Sequence, residues 1–266
     1  MSKAIVMNKL QENYNTIVNM GYELVGVFLQ GSQNYELDYE HSDVDCKAIV
    51  LPKFDDFVLN KKVVSTTHIL ENDEHIDLKD IRLMFDCFKK QNINFVEVLF
   101  TKYKVVNPKY QMLLKPLFDN NEKLSRYNNF ASVNCMSGMC MEKYKALEHP
   151  YPSLIDKIQR FGYDPKQLHH IMRLNEFIKR YISGEPYADC LISKNKEYLI
   201  EVKRGIHTLK EARVLAKTLT DEAVQIKNEY MNTHEVTIDN ECEDILNEVL
   251  VNIIRHGFIS ELNKEV

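Results

Sequence analysis

The hydrophobic period of the chain changes once. Residues 4–20 carry Ile5, Leu10, Tyr14, Ile17 and Val18 on one broad helical face, and Gly21 stands where a helix C-cap is expected. Glu23–Gln30 (ELVGVFLQ) is an apolar run of strand length that stops at Gly31-Ser32. A polar spacer follows, and residues 43–51 (DVDCKAIVL) predict a second strand. Residues 62–70 are rich in β-branched side chains and predict a third, and the alternating residues 74–78 (EHIDL) a fourth. From residue 78 the period becomes helical, with Ile81, Leu83, Met84, Phe85 and Phe88 on one helix over residues 78–91 and a short helix or turn over 92–100. Further helices are predicted over residues 108–119, 122–148, 153–161, 165–182, 209–230 and 239–262, with the HPYP at 149–152 as a break. Residues 190–205 predict a small hairpin turning at 194–196. The pattern implies an α+β protein, a small mixed sheet with helices followed by a mainly helical C-terminal region. The expected division is a core over residues 1–110 and a helical domain over 111–266.

Composition narrows this little. The 266 residues, 44% hydrophobic and 27% charged, are ordinary for a globular chain, and 8 Gly and 7 Pro leave little room for long flexible linkers. The net charge of -5 does not describe a nucleic-acid coat. It is uneven, however: residues 121–181 hold ten Lys/Arg against six Asp/Glu, so the second half has a locally basic stretch. Such a stretch facing an acidic metal site suits a phosphate-rich substrate, although a solvated helical surface has the same composition. No run approaches a membrane span and the N-terminus is too polar for a signal peptide. Six cysteines without a CxxC pair read as reduced thiols of a cytoplasmic protein.

The chemistry concentrates in Gly31-Ser32, a ten-residue spacer and Asp43-Val44-Asp45. Alternate residues of a strand share a face, so Asp43 and Asp45 present two carboxylates side by side while Val44 points into the core. Two such carboxylates repel one another unless a cation sits between them. Magnesium takes a few hard oxygen ligands and leaves positions for phosphate and water. A glycine admits close approach of backbone to phosphate, and a serine hydroxyl with neighbouring N–H groups can hold it. A lone DxD is weak, but hydrophobic strand, GS, spacer, SDxD and a second hydrophobic strand together are restrictive.

The stretch GVFLQGSQNYELDYEHSDVDCKAIVL resembles the signature of the DNA polymerase beta-like nucleotidyltransferases, and more narrowly a group of predicted bacterial and phage nucleotidyltransferases. HIDLKDIRLMFDCFKKQNINFVEVLF, SGMCMEKYKAL and DPKQLHHIMRLNEFI extend the resemblance over roughly residues 22–182. The resemblance implies metal-dependent use of an NTP, with two Mg²⁺ ions (or Mn²⁺ in their place), and nucleotide binding by Gly31, Ser32 and Ser42. It also implies a third metal carboxylate on a later strand that helps to deprotonate the attacking hydroxyl. Asp77 is the candidate, with an N-cap at the following helix as the competing role and Glu74 and Asp80 as competing residues. Asp80 is expected inside that helix, pointing away, and Asp38 of the spacer toward solvent.

Lys166, His170 and Arg173 stand at i, i+4 and i+7 of one predicted helix, beside the apolar stripe of Ile171, Leu174, Ile178 and Tyr181. They are expected to look into a cleft between the two halves and to neutralise a triphosphate; a solvated basic edge is the alternative. His169 falls off that face. Met136, Met139 and Met141 read as core, and His68 and His75 as structural. The acceptor stays open: an RNA end such as that of tRNA suits the basic stretch, and a protein or small-molecule hydroxyl suits the motif equally. A non-catalytic nucleotide-binding module and a metal phosphohydrolase are rivals of other classes, the latter wanting more His near the Asp pair. Oligomeric state is not encoded in any of these features.

Overall fold

The computed structural model describes residues 2–38, 42–70 and 74–263, so residues 39–41 of the polar spacer lie outside the described part. The fold is α+β, with a five-stranded mixed sheet and many helices. It divides into two compact units. One comprises residues 1–34, 38–127 and 238–266; the other, residues 35–37 and 128–237. The division differs from the expected 1–110 and 111–266, because the last helix returns to the sheet and three spacer residues join the helical unit.

The first unit begins with helix α1 (Lys3–Asn19), capped by Ser2, whose hydroxyl accepts from the Ile5 amide. Its buried residues are Val6, Leu10, Asn13 and Ile17, while Ile5 and Val18 are 48% and 43% exposed. The docked face is thus rotated from the expected one, with Asn13 on it. The Asn13 amide there donates to Cys46 Sγ at 3.4 Å, so a polar residue is satisfied within the interface.

Strand β1 (Glu23–Gln30) pairs antiparallel with β2 (Asp45–Leu51). After the short helix α2 (Phe54–Val58), β3 (Ser65–Ile69) pairs antiparallel with β4 (His75–Asp80), which runs parallel to β2. Helices α3 (Ile81–Lys89) and α4 (Ile93–Val96) lead to β5 (Lys104–Val106), an edge strand against β1 with no sequence signal beyond three residues. The sheet order is β3-β4-β2-β1-β5. Val27, Leu29, Val44, Cys46, Ala48, Val50, Ile76 and Leu78 face α1 and form one core. On the other face the Phe28 ring meets Phe118 of α5 (Pro108–Asp119), with ring centroids 6.4 Å apart.

Asp80 corrects an expectation. It ends β4 instead of lying inside the helix, and it caps α3: its carboxylate accepts from the Arg82 amide at 2.9 Å and from the Arg82 guanidinium at 2.9 and 2.6 Å. The N-cap role considered for Asp77 therefore belongs to Asp80. The long helix expected over 122–148 is two, α6 (Asn121–Leu124) and α7 (Asn129–Ala146), because the Asn128 side chain caps a fresh start by accepting from Ala131 N at 2.9 Å.

The second unit contains α7, α8 (Ile155–Phe161), α9 (Pro165–Ile182), α10 (Tyr187–Leu191), α11 (Lys196–Arg204) and α12 (Leu209–Thr233). Leu147, Tyr163, Leu168, Ile171, Val202, Ala212 and Ala216 form its core. The expected hairpin over 190–205 is instead the helical pair α10 and α11. Leu199 and Val202 are buried three residues apart, which is helical spacing, and Gly205 closes α11 in the left-handed conformation at φ 87°. The apolar run there is too short to tell strand from helix by alternation alone.

Helix α13 (Asn240–Leu262) brings the chain back to the first unit. Gly257 lies so close to β2 that a Cβ there would stand 2.4 Å from Leu51 Cδ1. No helix among the described residues is long and apolar enough to cross a membrane.

Candidate functional site

The two parts of the GS…SDxD pattern meet at one end of the sheet because β1 and β2 are antiparallel neighbours. Gln30, the last residue of β1, is in register with Asp45, the first of β2. The chain then turns through Gly31 at φ 107°, a left-handed value that favours glycine. An added Cβ would meet nothing closer than 3.9 Å, so conformation and not crowding calls for glycine. Ser32 opens a single 3-10 turn ending at Tyr35. Within that turn the buried Gln33 donates from Nε2 to the Asp43 carbonyl at 2.6 Å, tying the turn to the carboxylate strand. Asn34 donates to the Leu29 carbonyl at 2.9 Å and accepts from the Thr101 hydroxyl at 2.6 Å, which holds the turn from behind.

Along SDVD, Ser42 is buried, Asp43 exposed, Val44 fully buried and Asp45 half-buried. The extended chain leading into β2, which itself begins at Asp45, alternates in this way. Two backbone contacts fix it. Glu74, only 5% exposed, accepts from the Val44 amide at 3.0 Å through Oε1, and the same carboxylate pairs with Lys9 of α1. Asp45 accepts from the His75 amide at 2.9 Å. Glu74 thus braces the backbone between the two aspartates.

Asp77 lies on the same sheet face as Asp45. Its register partner on β2 is Lys47, two residues past Asp45, and its partner on β3 is Thr67, whose hydroxyl donates to Asp77 Oδ1 at 2.5 Å. Asp45 and Asp77 are thus diagonal neighbours on parallel strands, and both accept hydrogen bonds from protein donors. Among the described residues no three His, Cys, Asp or Glu side chains are drawn together as a metal cage. The donor set still suits magnesium chemically: an exposed Asp43 and a half-buried Asp45 are two hard oxygen donors, and this ion is commonly held by one or two carboxylates with phosphate and water completing its shell.

Lys47 was not singled out from sequence, although the i, i+2 rule that pairs Asp43 with Asp45 places Lys47 beside them. It is 2% exposed, donates to Gln30 Oε1 and lies 5.1 Å from the centroid of the Phe95 ring. Burial lowers its pKa, opposed by the charges of Glu97 and Asp77. A buried amine thus stands beside the carboxylates, in register with Asp77. Glu74 and Gln33 had no local signal; their roles depend on long-range pairing.

In the helical unit, the row on α9 grades inward. Lys166 is exposed, His170 half-buried and Arg173 5% exposed. The Arg173 guanidinium lies 3.9 Å from the centroid of the Tyr35 ring, and its Nε and Nη1 are buried without a hydrogen-bond partner. Burial pushes the His170 pKa well below the usual value, with the nearby His169, Arg173, Lys166 and Lys143 adding to the shift. His169, expected off this face, has an internal role: its Nδ1 stands 3.0 Å from the Leu199 carbonyl, which makes Nδ1 the protonated nitrogen. Burial lowers its pKa to about 4.

No family model matches the chain. No curated protein sequence matches it. Among solved structures it is similar to a nucleotidyltransferase-like protein from Exiguobacterium sibiricum 255-15, with 10% sequence identity and a TM-score of 0.30 over 84% of this chain and 75% of that one. A likeness of that degree carries no argument about activity.

Proposed function

We propose that the protein transfers a nucleotidyl group from an NTP to an acceptor hydroxyl and releases pyrophosphate. The observation that carries the reading is the junction of turn and strand: Gln30 in register with Asp45, and Gln33 bound to the Asp43 carbonyl, so that Gly31-Ser32 and the Asp pair share one end of the sheet. In this reading Gly31, Ser32 and Ser42 hold phosphate oxygens, Asp43 and Asp45 hold both metal ions and Asp77 one. Magnesium, or manganese, when bound, supplies charge neutralisation at the phosphates and makes the acceptor hydroxyl more acidic. The new bond forms from the acceptor oxygen to the α-phosphorus, the bond to the pyrophosphate oxygen breaks, and the hydroxyl proton goes to the Asp77 carboxylate. Lys166, His170 and Arg173 are the cations for the triphosphate.

The acceptor we favour is an RNA end such as that of tRNA, on the locally basic stretch at residues 121–181; a protein or small-molecule hydroxyl is the alternative. The cytoplasm is the compartment we propose, since all six cysteines are unbonded. A second reading, a non-catalytic nucleotide-binding module, is favoured by one observation, the lack of three gathered metal-ligating side chains among the described residues. The test is incubation of the protein with each α-labelled NTP, Mg²⁺ and total RNA and protein extracts. Label in one product class, lost with Asp43→Asn plus Asp45→Asn, supports transfer. NTP binding without transfer selects the second reading, and neither binding nor transfer rejects both.

A further inference from the structure

A carboxylate that takes the proton of an attacking hydroxyl must have that hydroxyl within hydrogen-bond reach. In this chain one hydroxyl already stands there. Thr67 Oγ1 donates to Asp77 Oδ1 at 2.5 Å, at the short end of the range for a hydroxyl on a carboxylate. Strand pairing puts it in that place. The Leu70 amide donates to the Glu74 carbonyl and the Asp80 amide to the Val64 carbonyl, so the hydrogen-bonded rungs of the β3–β4 ladder fall on even-numbered residues of β3. Thr67, opposite Asp77, lies on a rung without backbone hydrogen bonds, the kind on which facing side chains stand closer. Strand β4 runs between β2 and β3, which gives Asp77 Asp45 on one flank and Thr67 on the other. Thr67 is exposed, and β3 is the outermost strand on its side of the sheet.

The two hydroxyls that precede it are placed differently. Ser65 shares the face of Thr67, but its register partner is Lys79, whose ammonium donates to Ser65 Oγ at 3.2 Å. Thr66 is in register with Leu78, a residue of the core on the other face of the sheet. Of three consecutive hydroxyls, Thr67 is the one paired in register with a carboxylate.

We infer that Thr67 is an internal acceptor, and that the protein attaches one NMP to its own Thr67 hydroxyl. The inference rests on the nucleotidyl-transfer reading and adds a residue of this chain to its acceptors. Thr67 Oγ1 forms a bond to the α-phosphorus of the NTP. The bond from that phosphorus to the pyrophosphate oxygen breaks, its electron pair leaves on pyrophosphate, and the hydroxyl proton passes to the Asp77 carboxylate. Nothing is oxidised or reduced. A nucleophile that the fold already holds against its base reacts within one molecule and loses no translational freedom in reaching it. The product is a phosphodiester on β3, and Asp77 no longer has the Thr67 hydroxyl as a donor.

The test is incubation of the full chain with each α-labelled NTP and Mg²⁺, first alone and then with total RNA and protein extracts, with the labelled residue located by tandem mass spectrometry. The chain alone is expected to take up one NMP, on Thr67 and not on Ser65 or Thr66. A merely supporting hydrogen bond between Thr67 and Asp77 does not give that product. Thr67→Val should lower the label by about 100-fold or more, and Thr67→Ser, which keeps the hydroxyl, should retain most of it. Asp77→Asn should lower it by about 100-fold or more. Circular dichroism checks that the variants fold, and the position of the label in the wild type decides the matter if one does not. The wild type should not label a chain carrying Asp43→Asn and Asp45→Asn, since the step is internal. Label on any other residue, label on that double variant, or wild-type labelling of Thr67→Val overturns the inference. Label that passes to the extracts while Thr67 stays unmodified also overturns it, and leaves the transferase reading standing. No label on the chain or in the extracts removes both.

Discussion

The Glu74 carboxylate accepts a hydrogen bond from the Val44 amide at 3.0 Å, at the residue that separates Asp43 from Asp45. The two aspartates are turned outward because the backbone between them is held inward, by the Val44 side chain in the core and by Glu74 on its amide. Glu74 in turn is stabilised in its buried position by Lys9 of α1. The candidate site is thus braced by a helix that no motif connects with it.

Removing that brace has a predictable cost. Glu74→Ala should lower stability by about 1–3 kcal/mol, the price of a buried amide without an acceptor, and should reduce any metal-dependent activity through the displaced Asp pair. Glu74→Gln keeps an oxygen for Val44 and should recover most of the activity. Urea unfolding with parallel rate measurements checks both. If Glu74→Ala leaves rate and stability as they are, the bracing role is wrong.

Asp43→Asn with Asp45→Asn should abolish transfer, and the metal-free protein should melt at the same temperature or higher, since two adjacent carboxylates no longer repel. Asp77→Asn should slow transfer by orders of magnitude while NTP binding persists. A rate loss larger in Glu74→Gln than in Asp77→Asn would transfer the third role to Glu74.

Acid should destabilise the helical unit through His169. Its pKa falls from 6.5 unfolded to about 4 folded, because burial and the positive Arg173, Lys203 and Lys166 disfavour the imidazolium, opposed only by the bond to the Leu199 carbonyl. Between those values the unfolded chain binds more protons, so stability is full above pH 6.5 and declines as pH falls toward 4, by up to about 3 kcal/mol. His170 shifts in the same direction. Thermal midpoints across this range should fall with acid, and His169→Asn should flatten the decline. An equally steep decline in His169→Asn would assign the acid sensitivity to other groups.

Gly205→Ala tests the end of α11. The residue sits at φ 87°, and a Cβ would stand 2.4 Å from the Phe161 ring. A loss of about 1–3 kcal/mol is expected from the left-handed backbone alone, more if the ring does not move. Gly184→Ala, at a similar φ of 86° but with open space around it, is the control for strain without the clash.

The strands over 23–30 and 43–51 were legible as apolar runs because β1 and β2 are buried on both faces, the strand over 62–70 from its β-branched residues, and the strand over 74–78 from the alternation that burial of one face imposes. The helix at Pro165–Ile182 was legible to the residue, since Asp164 caps it and proline opens it, both local signals. The inward course of Val44 between Asp43 and Asp45 follows from the same two-residue period. Beyond such periods the sequence was silent. Residues 190–205 have an apolar pattern too short to separate strand from helix, and the packing of Leu199 and Val202 decided for helix. Edge strand β5 exists because β1 offers an unpaired edge, not because three residues prefer it. Helix α1 turned Asn13 inward, since the sheet surface that receives a helix chooses its face. Glu74 on the Val44 amide, Lys47 beside the carboxylates and Tyr35 over Arg173 join residues 30, 17 and 138 positions apart or on neighbouring strands. Such pairings depend on where strands and helices come to rest, and that is decided by burial summed over the whole unit rather than by any local stretch of chain.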